Sequence, residues 1–297
     1  ERAAPSRHSM LSSEFYTEKF LSWGMQDDEL KVNLFRFVDV LPSLADAPSV
    51  IRHVHEYFSP VRAKIPEFLQ MGLQLSPDSM TAKIAAPAIK KQVKFVAERF
   101  IVGDTPQAAL KSLRKLRRAG QAFTVDLLGE ATVSEVESLT YLDRYLELLG
   151  VLSEEVPKWT ESAPIIQSHS GERTPVNISV KLSALYSQTR PLNTETAVRV
   201  LGERLGQIFS AAKKVGAFVY VDMEDSSLTS ITLATFRAVL EREEFRSYDR
   251  VGIVLQAYLR RTAEDLRELL EWVKHRGTPI GVRLVKGAYW DTETVLA

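Results

Sequence analysis

The chain has 297 residues, 45% hydrophobic and 26% charged, so it can bury a core as one large domain or two modest ones. Its 38 basic and 38 acidic residues cancel, which excludes an overall field that would attract nucleic acid or anionic lipid. It contains no cysteine, which excludes disulfides, thiolate metal sites and a cysteine nucleophile.

The first region, residues 1–120, has helical spacing of apolar residues. In ELKVNLFRFVDVLPSL they recur at three- and four-residue steps from Leu30 to Leu41, and Pro42 marks a break. SVIRHVHEYF, IPEFLQMGLQL and SMTAKIAAPAIKKQVKFVAERF are similar. In DTPQAALKSLRKLRRAGQ, Thr105 can cap a helix that Gly120 ends. We therefore predict an all-helical domain over residues 1–120.

The second region, residues 121–297, alternates short β-branched runs with amphipathic helical stretches. The runs are AFTVDLLG, NISVKLSA, FVYVDMED, VGIVLQAY and IGVRLVKG. Strands separated by helices indicate parallel strands joined by crossovers. The predicted fold class is therefore α/β, with five strands in this region.

Alternate positions of these strands differ in polarity. One set is apolar and should face the helices: Ile178, Val180, Leu182, Val219, Val221, Met223, Ile253, Leu255, Val282 and Leu284. The other set carries polar residues late in the strands: Asp126, Lys181, Asp222, Glu224, Gln256 and Arg283. A parallel barrel points such residues inward at its carboxyl end, where its chemistry lies, whereas a doubly wound sheet is covered by helices on both faces. The pattern favours a TIM-like β/α barrel.

Several of these polar residues have more than one chemical use. A buried Lys181 could bind a substrate carboxylate or form a Schiff base. The carboxylates of DMED could bind a metal ion, but hydrogen bonding by Asp222 and helix capping by Asp225 are favoured. Gln256 can donate and accept together, which suits the edge of a heterocycle or a structural role.

The stretch VRLVKGAYWD has the densest set of functional side chains. Arg283 and Lys286 have opposite parity, so they can reach one cavity only if the strand ends before Lys286. Gly287 permits a turn and a close backbone approach. Tyr289 and Trp290 offer flat surfaces for a planar ligand, or they anchor a helix start.

The motifs SVKLSAL, YVDMED, GIVLQAYLRR and VRLVKGAYWD together resemble the proline dehydrogenases, and FRFVDVLPSL with HVHEYF is similar to bifunctional proline utilisation A. The resemblance implies a distorted eight-stranded barrel that holds FAD, oxidises L-proline to 1-pyrroline-5-carboxylate and passes electrons to a membrane quinone. It implies no metal.

The resemblance also implies roles for individual residues. Catalytic roles fall on Lys181, Arg283 and Tyr289. Substrate contacts fall on Lys181, Glu130, Leu284, Ala288 and Tyr289. Contacts with the flavin fall on Asp222, Met223, Val254, Gln256, Arg283, Val285, Lys286, Gly287, Ala288 and Trp290.

The sequence departs from the family pattern at both ends. Five of eight strands are present, so the rest of the protein is expected to supply the others, and this chain alone is expected to bind FAD weakly. Residues 1–29 show no strand of the ribbon-helix-helix type, so no DNA-binding domain is expected. The helical region resembles the arm that helps proline utilisation A dimerise, which implies a homo-oligomer.

Other functions and the location follow from the same features. A Schiff-base aldolase or lyase using Lys181 or Lys286 is the alternative enzyme, and a non-catalytic helical scaffold is the alternative outside enzymology. The sequence has no apolar signal core and no run of about 18 uncharged apolar residues. We expect a cytoplasmic protein, and its neutral charge is compatible with peripheral contact on the inner face of the membrane.

Overall fold

The computed structural model describes residues 27–65, 67–97, 101–129, 131–160 and 174–296. Two compact units are present, Glu1–Val102 and Gly103–Ala297. The boundary that the sequence predicts at Gly120 lies one helix later in the chain, and the assignment of functions to the two domains stays a prediction.

The described part of the first unit is helical. Its helices are α1 (Asp28–Val40), α2 (Ala47–Phe58), α3 (Glu67–Leu73) and α4 (Met80–Ala97). The side chain of Asp27 caps α1 by accepting from the Leu30 amide at 3.0 Å. The helix ends at Val40, in front of Pro42, as the sequence predicts. The core is apolar and includes Leu30, Phe37, Val50, Ile51, Val54, Phe58, Ala82, Ala86 and Ile89.

The second unit contains a five-stranded parallel sheet in the order β1-β2-β3-β4-β5. The strands are β1 (Val125–Asp126), β2 (Asn177–Val180), β3 (Phe218–Val221), β4 (Val251–Gln256) and β5 (Gly281–Val285). Its helices are α5 (Pro106–Arg118), α6 (Glu135–Glu155), α7 (Thr194–Val215), α8 (Thr229–Leu240), α9 (Thr262–Arg276) and α10 (Trp290–Leu296). The predicted parallel α/β arrangement is confirmed, although each strand is shorter than its sequence run.

One face of the sheet forms the core of this unit. The predicted helix-facing residues of β2, β3 and β4 are all buried, including Ile178, Val219 and Ile253 at 0% exposure. On β5 the outcome differs, because Val282 is 37% exposed and Leu284 is 60% exposed. β5 lies at the edge of the sheet, and the helix that follows it in the described residues has only seven residues.

Two expectations concern the ends of the chain and the membrane. The absence of a ribbon-helix-helix domain was expected over residues 1–29, most of which lie outside the described residues. Among the residues that the structure describes, no helix combines the length and the apolar character needed to cross a bilayer.

Candidate active site

Four charged residues from four strands or their ends meet on the polar face of the sheet. Lys181 Nζ lies 2.7 Å from Asp126 Oδ2 and 3.6 Å from Asp222 Oδ2. Arg283 Nη2 lies 2.5 Å from Asp222 Oδ1. The strands are in register, so residues of the same parity lie side by side, and this brings the four together. Asp222 is the carboxylate that both cations share.

A serine that the sequence analysis missed completes this cluster. Ser179 Oγ donates to Asp222 Oδ1 at 2.9 Å and lies 2.8 Å from Arg283 Nη2. Its strand position, two before Lys181, was the available signal. The hydroxyl ties the carboxylate and the guanidinium to β2 and so limits the rotamers that both can adopt.

Burial of the carboxyl group raises the pKa of Asp222, and the negative charge of Asp126 adds to that effect. Lys181, Arg283 and the bond from Ser179 act in the opposite direction, but burial outweighs them. The ionised form of Asp222 therefore lowers the stability of the folded protein, as is common for charged residues at functional sites.

Tyr220 is the second residue that the sequence analysis missed. Its ring lies beneath the Arg283 guanidinium, 4.5 Å from the carbon Cζ. It crosses two glycines: a Cβ on Gly252 would lie 2.3 Å from Tyr220 Cε1, and one on Gly281 would lie 2.8 Å from Tyr220 Oη. Glycine in register with an aromatic residue on adjacent strands was the signal for this packing.

Gln256 lies at the end of β4 and bonds to two neighbouring loops. Its Nε2 donates to the backbone oxygen of Glu224 at 2.6 Å. Its Oε1 accepts from the Tyr258 hydroxyl at 3.1 Å and from the Ala288 amide at 3.3 Å. Gln256 is 2% exposed, so its donor and acceptor groups are satisfied within the protein, as in the structural alternative, and its flavin contact stays a prediction.

The segment after β5 turns as the sequence predicts. The strand ends at Val285, and Gly287 has φ +129° with the Tyr258 ring where a Cβ would lie. Lys286 Nζ lies 5.9 Å from the centre of the Trp290 ring. Trp290 packs edge-on against Tyr258 at 5.8 Å and is 51% exposed. Trp290 also begins α10, so it serves as an anchor for that helix.

The structure leaves other predicted residues apart from the charged cluster. Leu284 alternates with Arg283 and lies on the opposite face of the sheet, away from the side where the cations meet. Met223 is buried and has the parity opposite to Asp222, whereas Val254 shares the face of Arg283 and pairs with it in register. Val285 is 36% exposed and Tyr289 is half-buried, and Glu130 lies outside the described residues.

The charged cluster contains two cations, Lys181 and Arg283, beside two carboxylates, Asp126 and Asp222. In the described ranges, no three His, Cys, Asp or Glu side chains are grouped so that they could hold a metal ion. Asp225 caps the turn before α8 by accepting from the Ser227 amide at 2.9 Å, as predicted. Such a site can bind an anion and stabilise negative charge on a ligand.

Comparison with protein families gives two matches. The model of the proline dehydrogenase family matches residues 109–297, and the model of the proline utilization A N-terminal domain matches residues 1–100. The matches follow each other along the chain and together span nearly all of it.

Individual relatives agree with these matches. The chain is 26% identical to the bifunctional protein PutA of Escherichia coli over 75% of its own length and 16% of that protein. It is 33% identical to proline dehydrogenase 1 of Bacillus subtilis (strain 168), over 67% of its own length and 54% of that protein. The crystal structure of proline utilization A from Bdellovibrio bacteriovorus, inactivated by N-propargylglycine, superposes with a TM-score of 0.83 and 40% identity, over 99% of this chain and 28% of that chain.

Proposed function

Since the chain belongs to the proline dehydrogenase family, we propose that the protein carrying it oxidises L-proline to 1-pyrroline-5-carboxylate, with FAD as cofactor and a quinone as the electron acceptor. The chain spans less than two thirds of the relatives it matches, so the activity, the substrate and the acceptor of the whole protein all belong to this proposal.

The observation that carries the proposal is the placement of Arg283. Its guanidinium is held by Asp222 and Ser179 and rests on the Tyr220 ring. Its Nε is buried and has no hydrogen-bond partner among the described residues. A buried donor without a partner is costly, which fits a place for a ligand acceptor such as a ring nitrogen.

The residues present fit FAD on these grounds, and each would hold a different part of it. Arg283 would donate to the isoalloxazine ring, and Asp222 would keep Arg283 in place. The turn at Lys286 to Ala288 would approach the ring and the phosphates through its backbone and its cation. When bound, FAD supplies the acceptor for the hydride that leaves the substrate carbon. Arg283 would stabilise negative charge on the reduced ring.

Lys181 is proposed to bind the carboxylate of L-proline. Its ammonium group is held between Asp126 and Asp222, so it is fixed at the carboxyl end of the sheet before substrate arrives. Two carboxylates stabilise the charged ammonium, which is not nucleophilic. The same contacts therefore argue against a Schiff base on Lys181.

The quinone acceptor, a homo-oligomeric state, a cytoplasmic location and peripheral membrane contact are proposed from the family resemblance.

The test uses Arg283→Met in the whole protein that carries this sequence. We expect the variant to bind FAD but to oxidise L-proline about 100- to 1000-fold more slowly, the range found when one donor to a developing charge is removed. Arg199→Met is the matched control, because Arg199 is 65% exposed on α7. An Arg283→Met variant that binds flavin and turns over proline normally would remove the proposal.

A further inference from the structure

Glu224 is the centre of a chain of hydrogen bonds that runs through Ser183 and Gln256 and connects the carboxyl ends of all five strands. We propose that Glu224 and Ser183 are positioning residues that hold the loop after β1 and the loop after β5 in one arrangement. This inference rests on the proposed function, because those two loops carry Glu130 and the segment Lys286 to Tyr289, to which the family resemblance assigns substrate and cofactor contacts.

The carboxylate of Glu224 is bound on both of its oxygens by Ser183. The Ser183 amide donates to Glu224 Oε2 at 3.0 Å, and the Ser183 hydroxyl donates to Oε1. Glu224 is 3% exposed and Ser183 is 5% exposed. A buried carboxylate that lost these donors would be severely destabilised, so the turn after β2 is tied to the end of β3.

Ser183 extends the connection to the loop after β1. Its hydroxyl accepts from the Ala131 amide at 2.8 Å. Its backbone oxygen accepts from the Thr132 amide at 3.2 Å and from the Thr132 hydroxyl at 3.1 Å. Ala131 has φ +54°, a left-handed conformation that residues other than glycine rarely adopt. The hydrogen bonds that Ser183 accepts from this loop therefore stabilise a strained backbone conformation.

Glu224 also connects to the loops after β4 and β5. Its backbone oxygen accepts from Gln256 Nε2 at 2.6 Å, and Gln256 Oε1 accepts from the Ala288 amide at 3.3 Å. We call Ala131, Ser183, Glu224, Gln256 and Ala288 the loop-linking network. Its first and last members, Ala131 and Ala288, are 157 positions apart in the sequence, yet each member is hydrogen-bonded to the next.

The Asp222 carboxylate binds Lys181 and Arg283. The Glu224 carboxylate, two residues later in the chain, binds Ser183 in the turn after β2. A shift of about 1 Å in a positioning element is enough to cost about 100-fold in rate, so a fixed loop arrangement has functional value.

The experiment measures amide hydrogen exchange and steady-state kinetics on the whole protein, with Ser183→Ala and Glu224→Gln. Ser183→Ala removes the hydroxyl, and Glu224→Gln replaces one acceptor oxygen by a donor. We expect faster exchange in both variants, in peptides spanning residues 127–133 and in those spanning 286–289. We also expect the KM for L-proline to rise about tenfold with a smaller change in kcat, because both loops are proposed to contact substrate.

Glu203→Gln is the matched control, since Glu203 is 61% exposed on α7 and its substitution should change neither measurement. Faster exchange at residues 127–133 with unchanged exchange at 286–289 in both variants would overturn the inference, as would an unchanged KM in an active enzyme. If the unmodified protein does not oxidise proline, the proposed function fails, and exchange at 286–289 alone then decides whether the network exists.

Discussion

Arg283 Nη2 and Asp222 Oδ1 lie 2.5 Å apart although 61 residues separate them in the sequence. Asp222 directly follows β3 and Arg283 is on β5, and β4 lies between these two strands in the sheet. Glycines at Gly252 and Gly281 leave the space above the sheet that the Tyr220 ring fills, and Arg283 extends over that ring to Asp222. The candidate site therefore depends on small residues as well as on charged ones.

The buried carboxylate of Asp222 should cost stability at neutral pH. Its pKa is raised in the folded state, so the folded protein takes up this proton at a higher pH than the unfolded chain does. We expect Asp222→Asn to be as stable as the unmodified protein or more stable, by no more than about 1 kcal/mol, because a lost hydrogen bond offsets part of the gain.

The pH dependence gives the sign of this effect. Above the pKa of Asp222 in the folded protein, the ionised carboxylate lowers the free energy of unfolding. This loss disappears as the pH falls through that pKa towards 3.8, so the stability advantage of Asp222→Asn should shrink towards acid. Urea unfolding at a series of pH values measures it, with Asp143→Asn, an exposed carboxylate on α6, as the control. An advantage that grows towards acid would show that the assigned direction is wrong.

Lys181→Met tests the proposed contact with the substrate carboxylate. We expect kcat/KM for L-proline to fall about 10- to 100-fold, because a hydrogen bond to a charged group contributes about 1.5–3 kcal/mol and each 1.4 kcal/mol is a factor of ten. Bound flavin should be retained. Lys274→Met, at a lysine that is 70% exposed, is the matched control.

Borohydride treatment of the unmodified protein with a carbonyl substrate separates the two roles considered for Lys181. We expect no covalent adduct on this lysine in mass spectra of its peptides, because Asp126 and Asp222 stabilise its charged form. A reduced adduct on Lys181 would favour the aldolase or lyase alternative over proline oxidation.

Gly252→Ala should disturb the surface on which Arg283 rests. The new methyl would lie 2.3 Å and 2.6 Å from atoms of the Tyr220 ring and 2.8 Å from the Gly281 carbonyl oxygen. We expect a loss of about 1–3 kcal/mol in the free energy of unfolding, as overpacking in a core usually causes. Urea unfolding measures it.

Gly150→Ala is the control for that substitution. No neighbour lies within 4 Å of a Cβ added at Gly150, which is inside α6. This variant should gain about 0.5–1 kcal/mol from helix propensity. If both variants change stability alike, the close approach of Tyr220 to Gly252 has no energetic importance.

The architecture of the sheet could be predicted because its signals are local. A strand alternates its side chains with period two, so Ile178 and Lys181 already indicate opposite faces in the sequence. Helix ends were predictable for the same reason, since Thr105 caps α5 through the Ala108 amide at 3.2 Å.

The contacts of the candidate site could not all be predicted, because they depend on distances across the sheet. Ser179 has no motif of its own, and its importance comes from lying between Asp222 and Arg283. The burial of Glu224 depends on the turn that places Ser183 over it. For Leu284 the two sources of prediction disagree. The family resemblance assigned it a substrate contact, whereas its position next to Arg283 in β5 places its side chain on the face of the sheet opposite to the charged cluster.

The central claim, that the polar face of this sheet holds a flavin reduced by proline, is tested most directly by the visible absorption spectrum of the whole purified protein. We predict a flavin band that bleaches when L-proline is added under anaerobic conditions and returns when a quinone is supplied. A protein that contains no flavin, or whose flavin band is unchanged by L-proline, would contradict the claim.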